Sequence, residues 1–357
     1  MADYTQSPFS GTRPVAPQHA FDIAKLAAFM REHVSGFEGA LAVEQFKGGQ
    51  SNPTFLLTAG GHRYVMRRKP PGALLPSAHA VEREFRVTRA LAATEVPVAH
   101  AHTLCEDPAV IGTAFYVMDC VDGRILWDPT LPGMGAPERA AHYDEMNRVI
   151  AALHRVDPAA IGLADYGKPG HYIERQVARW TRQYRASETE RIEAADALID
   201  WLPRHVPPAA EARIVHGDYR LDNVIFHPAE PRILAVLDWE LSTLGDPLAD
   251  FAYHCMRWHL PPPGGLAGAD LTALGIPGEA EYLRRYLDRV GSPREPNPDE
   301  WTYYLVFNMF RLVGILQGVT ARALQGNASS AQAIETGKRT RPLAEQAWAL
   351  AQRIGKG

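Results

Sequence analysis

Between Ile214 and Phe226 the chain reads IVHGDYRLDNVIF. Two short apolar runs enclose a polar middle that carries Asp218, Asp222 and Asn223. A further apolar run, ILAVLDWE at 233–240, ends in Asp238. The apolar ends read as strands anchored in a core, which holds the polar middle at the rim of that core. Such a set suits phosphoryl transfer. One carboxylate has to accept or orient the proton of an attacking hydroxyl, and an amide oxygen with a second carboxylate has to hold Mg²⁺ against the phosphates. Asp218 has the place of the base. Asn223, five positions on, and Asp238 have the places of the metal ligands. A lone Gly-Asp is a common turn, and a lone Asp at a strand end is commonly a cap. The reading rests on the joint order and spacing.

HGDxxxxN followed by a strand and Asp-Trp-Glu resembles the aminoglycoside phosphotransferase and choline kinase superfamily. The longer run VHGDYRLDNVIFHPAEPRILAVLDWELSTLGDPLADFAY is similar to the branch that includes the kinase domain of acyl-CoA dehydrogenase fusion proteins. The resemblance extends over residues 40–350. It implies an α+β, protein-kinase-like fold of two lobes: a small antiparallel sheet with one main helix, and a larger, mostly helical lobe. It also implies ATP and Mg²⁺ as cofactors and a small-molecule hydroxyl as acceptor. His216 would brace the catalytic loop through the backbone rather than carry protons. Asp246 and Asp250 open the next helix, where free N–H groups and the helix dipole favour carboxylates; the resemblance gives Asp250 the loop-bracing role.

A kinase also needs a cover and a cation for the phosphates. GGQSN at 48–52 lies between two strand-like runs, so Gly48, Gly49 and Ser51 form either a phosphate-covering turn or a plain hairpin turn. No GxxxxGK[ST] occurs, which excludes a P-loop NTPase. By the resemblance, Arg67 stands where the family carries a strand lysine; its planar fork still offers positive charge to phosphate oxygens. Lys69 shares its face by strand alternation, and the alternative is a solvated basic edge. Glu84 fits the partner that orients the cation, with Glu82 as its rival, since residues two apart on a helix face different ways. Tyr116–Asp119 ends a strand where a hinge would offer backbone groups to adenine; Met118 is either part of that hinge or ordinary core.

The acceptor pocket is expected from the C-terminal helices. Residues 257–357 carry no acidic excess, which argues against a polycationic aminoglycoside. Arg311 lies inside the apolar segment 301–318, where it either pairs with a buried carboxylate such as Glu240 or meets an acidic substrate or a CoA phosphate. The resemblance points to a hydroxy acid or hydroxyacyl-CoA. Two alternatives stand beside this kinase: a non-catalytic nucleotide- or CoA-binding module partnering an acyl-CoA dehydrogenase, and an aminoglycoside resistance kinase.

The elements that must position these groups follow from periodicity. Strand-like runs at 41–48, 53–60 and 62–69 precede a helix at 77–94, with Ser77 as its cap, and two more strands at 96–104 and 113–121. Gly60-Gly61 reads as a hairpin turn. Helical patterns dominate beyond Asp122. The organisation is therefore an N-terminal arm, 1–25, read as loose; an N-lobe, 26–121; and a helical C-lobe, 122–357, with the catalytic loop. No apolar run approaches the roughly 18 residues of a membrane span, and the N-terminus lacks a signal-peptide pattern. Three scattered cysteines offer no zinc site and suit a reducing cytoplasm. A net charge of -4 gives no footprint for nucleic acid or an anionic membrane.

Overall fold

A computed structural model describes residues 11–47, 52–72, 79–168, 170–324 and 335–355. Its first elements are β1 (Thr12–Arg13), α1 (Ile23–His33), β2 (Ala42–Phe46), β3 (Thr54–Ala59), β4 (His62–Arg68), α2 (Val81–Leu91), β5 (Ala101–Cys105), α3 (Pro108–Ile111), β6 (Phe115–Asp119) and α4 (Ala136–Arg155). Then come α5 (Tyr172–Ala186), α6 (Glu193–Trp201), β7 (Arg213–Val215), β8 (Val224–Phe226), β9 (Ile233–Val236), β10 (Thr243–Gly245), α7 (Pro247–Cys255), α8 (Leu271–Leu274), α9 (Glu279–Val290), α10 (Pro298–Leu324) and α11 (Thr340–Ala351). This is the expected α+β class. The chain forms two compact units, Met1–Leu163 with Arg220–Ser242 and Asp270–Gly278, and Ala164–Tyr219 with Thr243–Ala269 and Glu279–Gly357.

The first unit is built on an antiparallel six-stranded sheet in the order β1-β2-β3-β4-β6-β5. Alternation along the strands sorts side chains to its two faces. Phe55, Leu57, Tyr64, Met66, Phe115 and Val117 pack with Leu26, Ala27 and Met30 of α1 on one face. Tyr116 and Ala101 pack with Val81 and Phe85 of α2 on the other. The β3–β4 hairpin closes through Gly60 and Gly61, both at positive φ (56° and 81°), which a two-residue turn of this hand requires.

Two differences from the sequence reading concern boundaries. Residues 11–25, read as part of a loose arm, carry β1, paired Thr12 to Phe46 and Arg13 to Gln45, and the start of α1. Asp22 caps α1 by accepting from the Lys25 amide at 3.0 Å. Only Leu26, Ala27 and Met30 of this helix are buried, an apolar face too narrow to announce itself. The boundary expected at 121–122 falls close after the last residue of the sheet, Asp119, but the compact unit continues. It takes in α4, the β8–β9 hairpin and α8 because they bind each other. The Ile233 amide donates to Glu145 Oε1 at 2.9 Å, and Arg139 Nη1 to the Leu274 carbonyl at 3.4 Å. Ser77, expected to cap α2, lies outside the described residues.

The second unit is organised around α10, which packs against α5, α7 and α11. By length and composition α10 could cross a membrane, but 78% of its apolar window is buried inside the protein, as in a core helix. Polar groups on it find internal partners: Asn308 Nδ2 donates to the carbonyls of Ala249 (2.8 Å) and Tyr304 (3.0 Å). A short ladder pairs β7 with β10, Thr243 to Val215 through Gly245 to Arg213.

Candidate functional site

The candidate residues fall into two groups, one in each compact unit. In the first unit Arg67 projects from β4 toward the face covered by α2. Its Nε lies 2.9 Å from Glu84 Oε2, and its Nη2 lies 3.4 Å from Glu84 Oε1 and 3.0 Å from Asp238 Oδ1. Glu84 sits in the buried stripe of α2 with Val81, Phe85, Thr88 and Leu91, and its side chain is 1% exposed. A carboxylate in such a stripe needs donors. Asn52 Nδ2 supplies one at 2.8 Å and the Tyr116 hydroxyl another at 3.1 Å. Burial works against the Arg67 charge, but Glu84, Tyr116, Asp238 and Glu240 outweigh it and hold the guanidinium above its ordinary value. Burial likewise pushes the Glu84 carboxyl up, with Arg67 opposing.

The rivalry between Glu82 and Glu84 is thereby decided. Lys69 Nζ pairs with Glu82 at 2.9 Å, nearer to solvent, while Arg67 takes Glu84. Asn223 precedes β8 and Asp238 follows β9 at the same end of the β8–β9 hairpin, where the Leu237 amide donates to the Asn223 carbonyl at 2.8 Å. Asp238 adopts φ 63°, in the left-handed region that few non-glycine residues enter and in which aspartate is enriched. Glu240 lies on the short turn Trp239–Leu241 and contributes to the field on Arg67. Met118 is a β6 residue opposite Val65 and Ala101, packed on the Val81–Phe85–Tyr116 cluster. The amides that follow it, Asp119 and Cys120, donate to the His100 (2.9 Å) and Arg63 (3.2 Å) carbonyls. Gly48, Gly49 and Ser51 lie outside the described residues.

In the second unit β7 leads into His216-Gly217-Asp218. Asp250, on α7, accepts the His216 amide at Oδ2 (2.7 Å) and the Gly217 amide at Oδ1 (2.8 Å). Arg311 Nη2 donates to the Gly217 carbonyl. The Gly217 peptide, at φ 81°, is thus held from both ends. His216 Nδ1 accepts the Asp218 amide at 3.1 Å, a backbone brace as expected. Asp246 caps α7 at the Leu248 amide (2.9 Å) and receives the Tyr304 hydroxyl (2.8 Å). Arg311 is 6% exposed, and its guanidinium lies 4.6 Å from the Tyr253 ring centroid and 5.3 Å from that of Trp180. A carboxylate such as Glu240 was one of the two partners open to Arg311 on sequence; the partners found are a carbonyl and two aromatic rings. The Tyr253 hydroxyl donates to Asp218 Oδ1 at 2.5 Å.

Comparison with known proteins places this geometry. Residues 42–286 match the model of the phosphotransferase enzyme family. The chain belongs to that family. Over 349 residues the chain is 47% identical to mouse acyl-CoA dehydrogenase family member 10, covering 96% of this chain and 32% of the relative. Human acyl-CoA dehydrogenase family member 11 is 42% identical over 347 residues, with 95% and 44% covered. The chain therefore spans less than half the length of these curated relatives. Among solved structures, a Ralstonia eutropha JMP134 protein provisionally assigned as an aminoglycoside phosphotransferase is 59% identical. It superposes with a TM-score of 0.86 over 94% of this chain and 99% of the other. The aminoglycoside phosphotransferase APH(4)-Ia, solved with ADP and hygromycin B, shares 17% identity and a TM-score of 0.59 over 92% and 98% of the two chains, a likeness of fold. The fold is protein-kinase-like.

Asn223 and Asp238 offer hard oxygen ligands at one hairpin end, which fits Mg²⁺. Among the described residues no group of three or more His, Cys, Asp or Glu converges into a metal cage. One or two protein ligands, with the rest of the shell from phosphates and water, is a common arrangement for Mg²⁺. Sequence reasoning placed Asn52 in the GGQSN turn and Tyr116 at a strand end without giving either side chain a role, and did not single out Tyr253. Asn52 lies two residues before β3 and carries no periodic signal. Tyr116 and Tyr253 are buried residues whose rings read as core and whose hydroxyls do the work.

Proposed function

We propose that this phosphotransferase is an ATP- and Mg²⁺-dependent small-molecule kinase. Its acceptor is a hydroxyl, carried by a hydroxy acid or a hydroxyacyl-CoA ester. The observation that carries the reading is the buried Arg67–Glu84 pair, whose guanidinium also reaches Asp238 at 3.0 Å. A phosphate-binding cation tied to a helix glutamate is the part a kinase needs and a merely structural sheet does not. In this reading Arg67 receives the phosphates. Gly48, Gly49 and Ser51 cover them, and the backbone near Met118 borders the adenine. Asn223 and Asp238 hold Mg²⁺, which supplies charge neutralisation at the phosphates. Asp218 takes the proton of the acceptor hydroxyl. Arg311 supports the loop that carries Asp218 rather than meeting the substrate. The acyl character of the acceptor draws on the names of the mouse and human relatives. ATP draws on the ADP bound to APH(4)-Ia and to spectinomycin phosphotransferase.

The test is ADP release from ATP and Mg²⁺ against hydroxy acids, hydroxyacyl-CoA esters, choline and aminoglycosides. Turnover on one acceptor class is expected. Asp218→Asn should lower kcat by about 10²–10⁴-fold, the usual weight of a general base, with ATP still bound. Equal turnover in Asp218→Asn removes Asp218 from the reaction. A second reading, a non-catalytic module that binds nucleotide and partners an acyl-CoA dehydrogenase, draws on the same contact, because Arg67 engages the aspartate that a metal needs. Mg²⁺-dependent ATP binding with no ADP release on any acceptor would favour it.

A further inference from the structure

Tyr253 and Arg311 form a support beneath Asp218 that the kinase reading does not by itself require. The Tyr253 hydroxyl donates to Asp218 Oδ1 at 2.5 Å, and the Tyr253 ring is stacked under the Arg311 guanidinium at 4.6 Å. Arg311 also donates to the carbonyl of Gly217, the residue before Asp218. One buried cation therefore touches both neighbours of the carboxylate: the peptide that carries it and the phenol that hydrogen-bonds it. We infer that Tyr253, backed by Arg311, is a positioning residue that sets the plane of the Asp218 carboxylate for proton transfer. The inference rests on the reading of Asp218 as the base.

The physical case has two parts. A carboxylate on a single Cβ turns readily about its last torsion, which is broad and nearly two-fold. Anchoring Oδ1 removes that freedom and fixes the direction of the other oxygen. A charge-assisted O–H donor is among the stronger anchors available. The cation on the ring face adds to this, because positive charge there stabilises electron density drawn toward the phenol oxygen and makes its O–H a better donor. The Trp180 ring also packs on the Arg311 guanidinium, at 5.3 Å. In the reaction, the acceptor oxygen bonds to the γ-phosphorus as the bond from that phosphorus to ADP breaks. The acceptor proton passes to the Asp218 carboxylate. Tyr253 keeps its own proton throughout, donated to Oδ1, so the accepted proton has no place on that oxygen.

The experiment uses the full chain and compares wild type, Tyr253→Phe, Asp218→Asn and the double variant, reading ADP release with the best acceptor and with water alone as acceptor. Tyr253→Phe keeps the ring under Arg311 and removes only the hydroxyl. Its kcat should fall by about ten- to a hundredfold, the weight of one hydrogen bond to a charged group, while the KM for ATP stays within about twofold. In the Asp218→Asn background the same change should have no further effect if, as inferred, Tyr253 acts on the reaction through that carboxylate. Thermal unfolding of each variant separates this from loss of fold. An unchanged kcat in Tyr253→Phe, or an equal loss in both backgrounds, would overturn the inference and leave the kinase reading standing. Absence of ADP release by the wild type, with every acceptor and with water, would overturn the kinase reading and this inference with it.

Discussion

Glu84 is the residue whose replacement tests the site most directly. Glu84→Gln keeps the shape of the side chain and removes its charge. Three side-chain donors converge on this carboxylate: Arg67, Asn52 at 2.8 Å and the Tyr116 hydroxyl at 3.1 Å. A glutamine presents an N–H₂ to one of them and loses the attraction to Arg67. Removing one member of a buried ion pair costs about 3–5 kcal/mol, because the other charge stays buried. Arg67 is 11% exposed and retains Asp238, which is 33% exposed and so only a partial substitute. That places the expected loss near the lower end, about 3 kcal/mol. Arg67→Met should cost a similar amount, and the double variant much less than the sum, with a coupling of about 2 kcal/mol. Urea denaturation gives the total. Hydrogen exchange of peptides from β4 and α2 reports on the first compact unit directly, which matters because a chain of two units need not unfold in one step. A Glu84→Gln protein within about 0.5 kcal/mol of wild type, or strict additivity in the double variant, would refute the claim that Glu84 holds the Arg67 cation.

Two further outcomes follow from the same geometry. Arg67→Met should weaken ATP binding by about tenfold or more, the scale of one charge-assisted contact to phosphate, whereas Lys69→Met should stay within about twofold, since Lys69 pairs with Glu82 nearer to solvent; equal losses in a binding titration would reverse that assignment. Burial, reinforced by the charge of Arg257, lowers the His254 imidazole to about 3, against an ordinary 6.5. Between those values the unfolded chain holds a proton that the folded chain lacks, so stability falls as pH drops from 6.5 toward 3, by up to about 1.4 kcal/mol per pH unit. His254→Gln should flatten the urea midpoint across that window, and an unchanged slope would show that His254 is not the group responsible.

Much of the site was legible because its signals are local. Asp218 and Asn223 lie on one loop, and Asp238 ends the next strand but one, so their order and spacing survive in the linear text. The antiparallel sheet, the Gly60-Gly61 turn and the long helices were legible from periodicity for the same reason. The α1 helix was not, because it buries only three residues and sits behind a polar, proline-bearing stretch. Glu84 could have been preferred to Glu82 on sequence alone: it falls three residues after Val81, on the apolar stripe, and Glu82 does not.

What the sequence by itself determined is the set of candidate groups: a candidate base, two candidate oxygen ligands, a strand cation and a helix carboxylate, each placed by short-range spacing. What only the tertiary structure decided is the pairing. Arg67 meets Glu84 rather than Glu82, and reaches Asp238 across 171 positions of chain. Arg311 holds the Gly217 peptide, 94 positions away, and stacks on Tyr253. The physical reason is the same in each case. Local periodicity fixes which face of a strand or helix a side chain occupies, but the choice among possible partners depends on which faces are packed together, how far each charge is removed from water, and which donors are left without one.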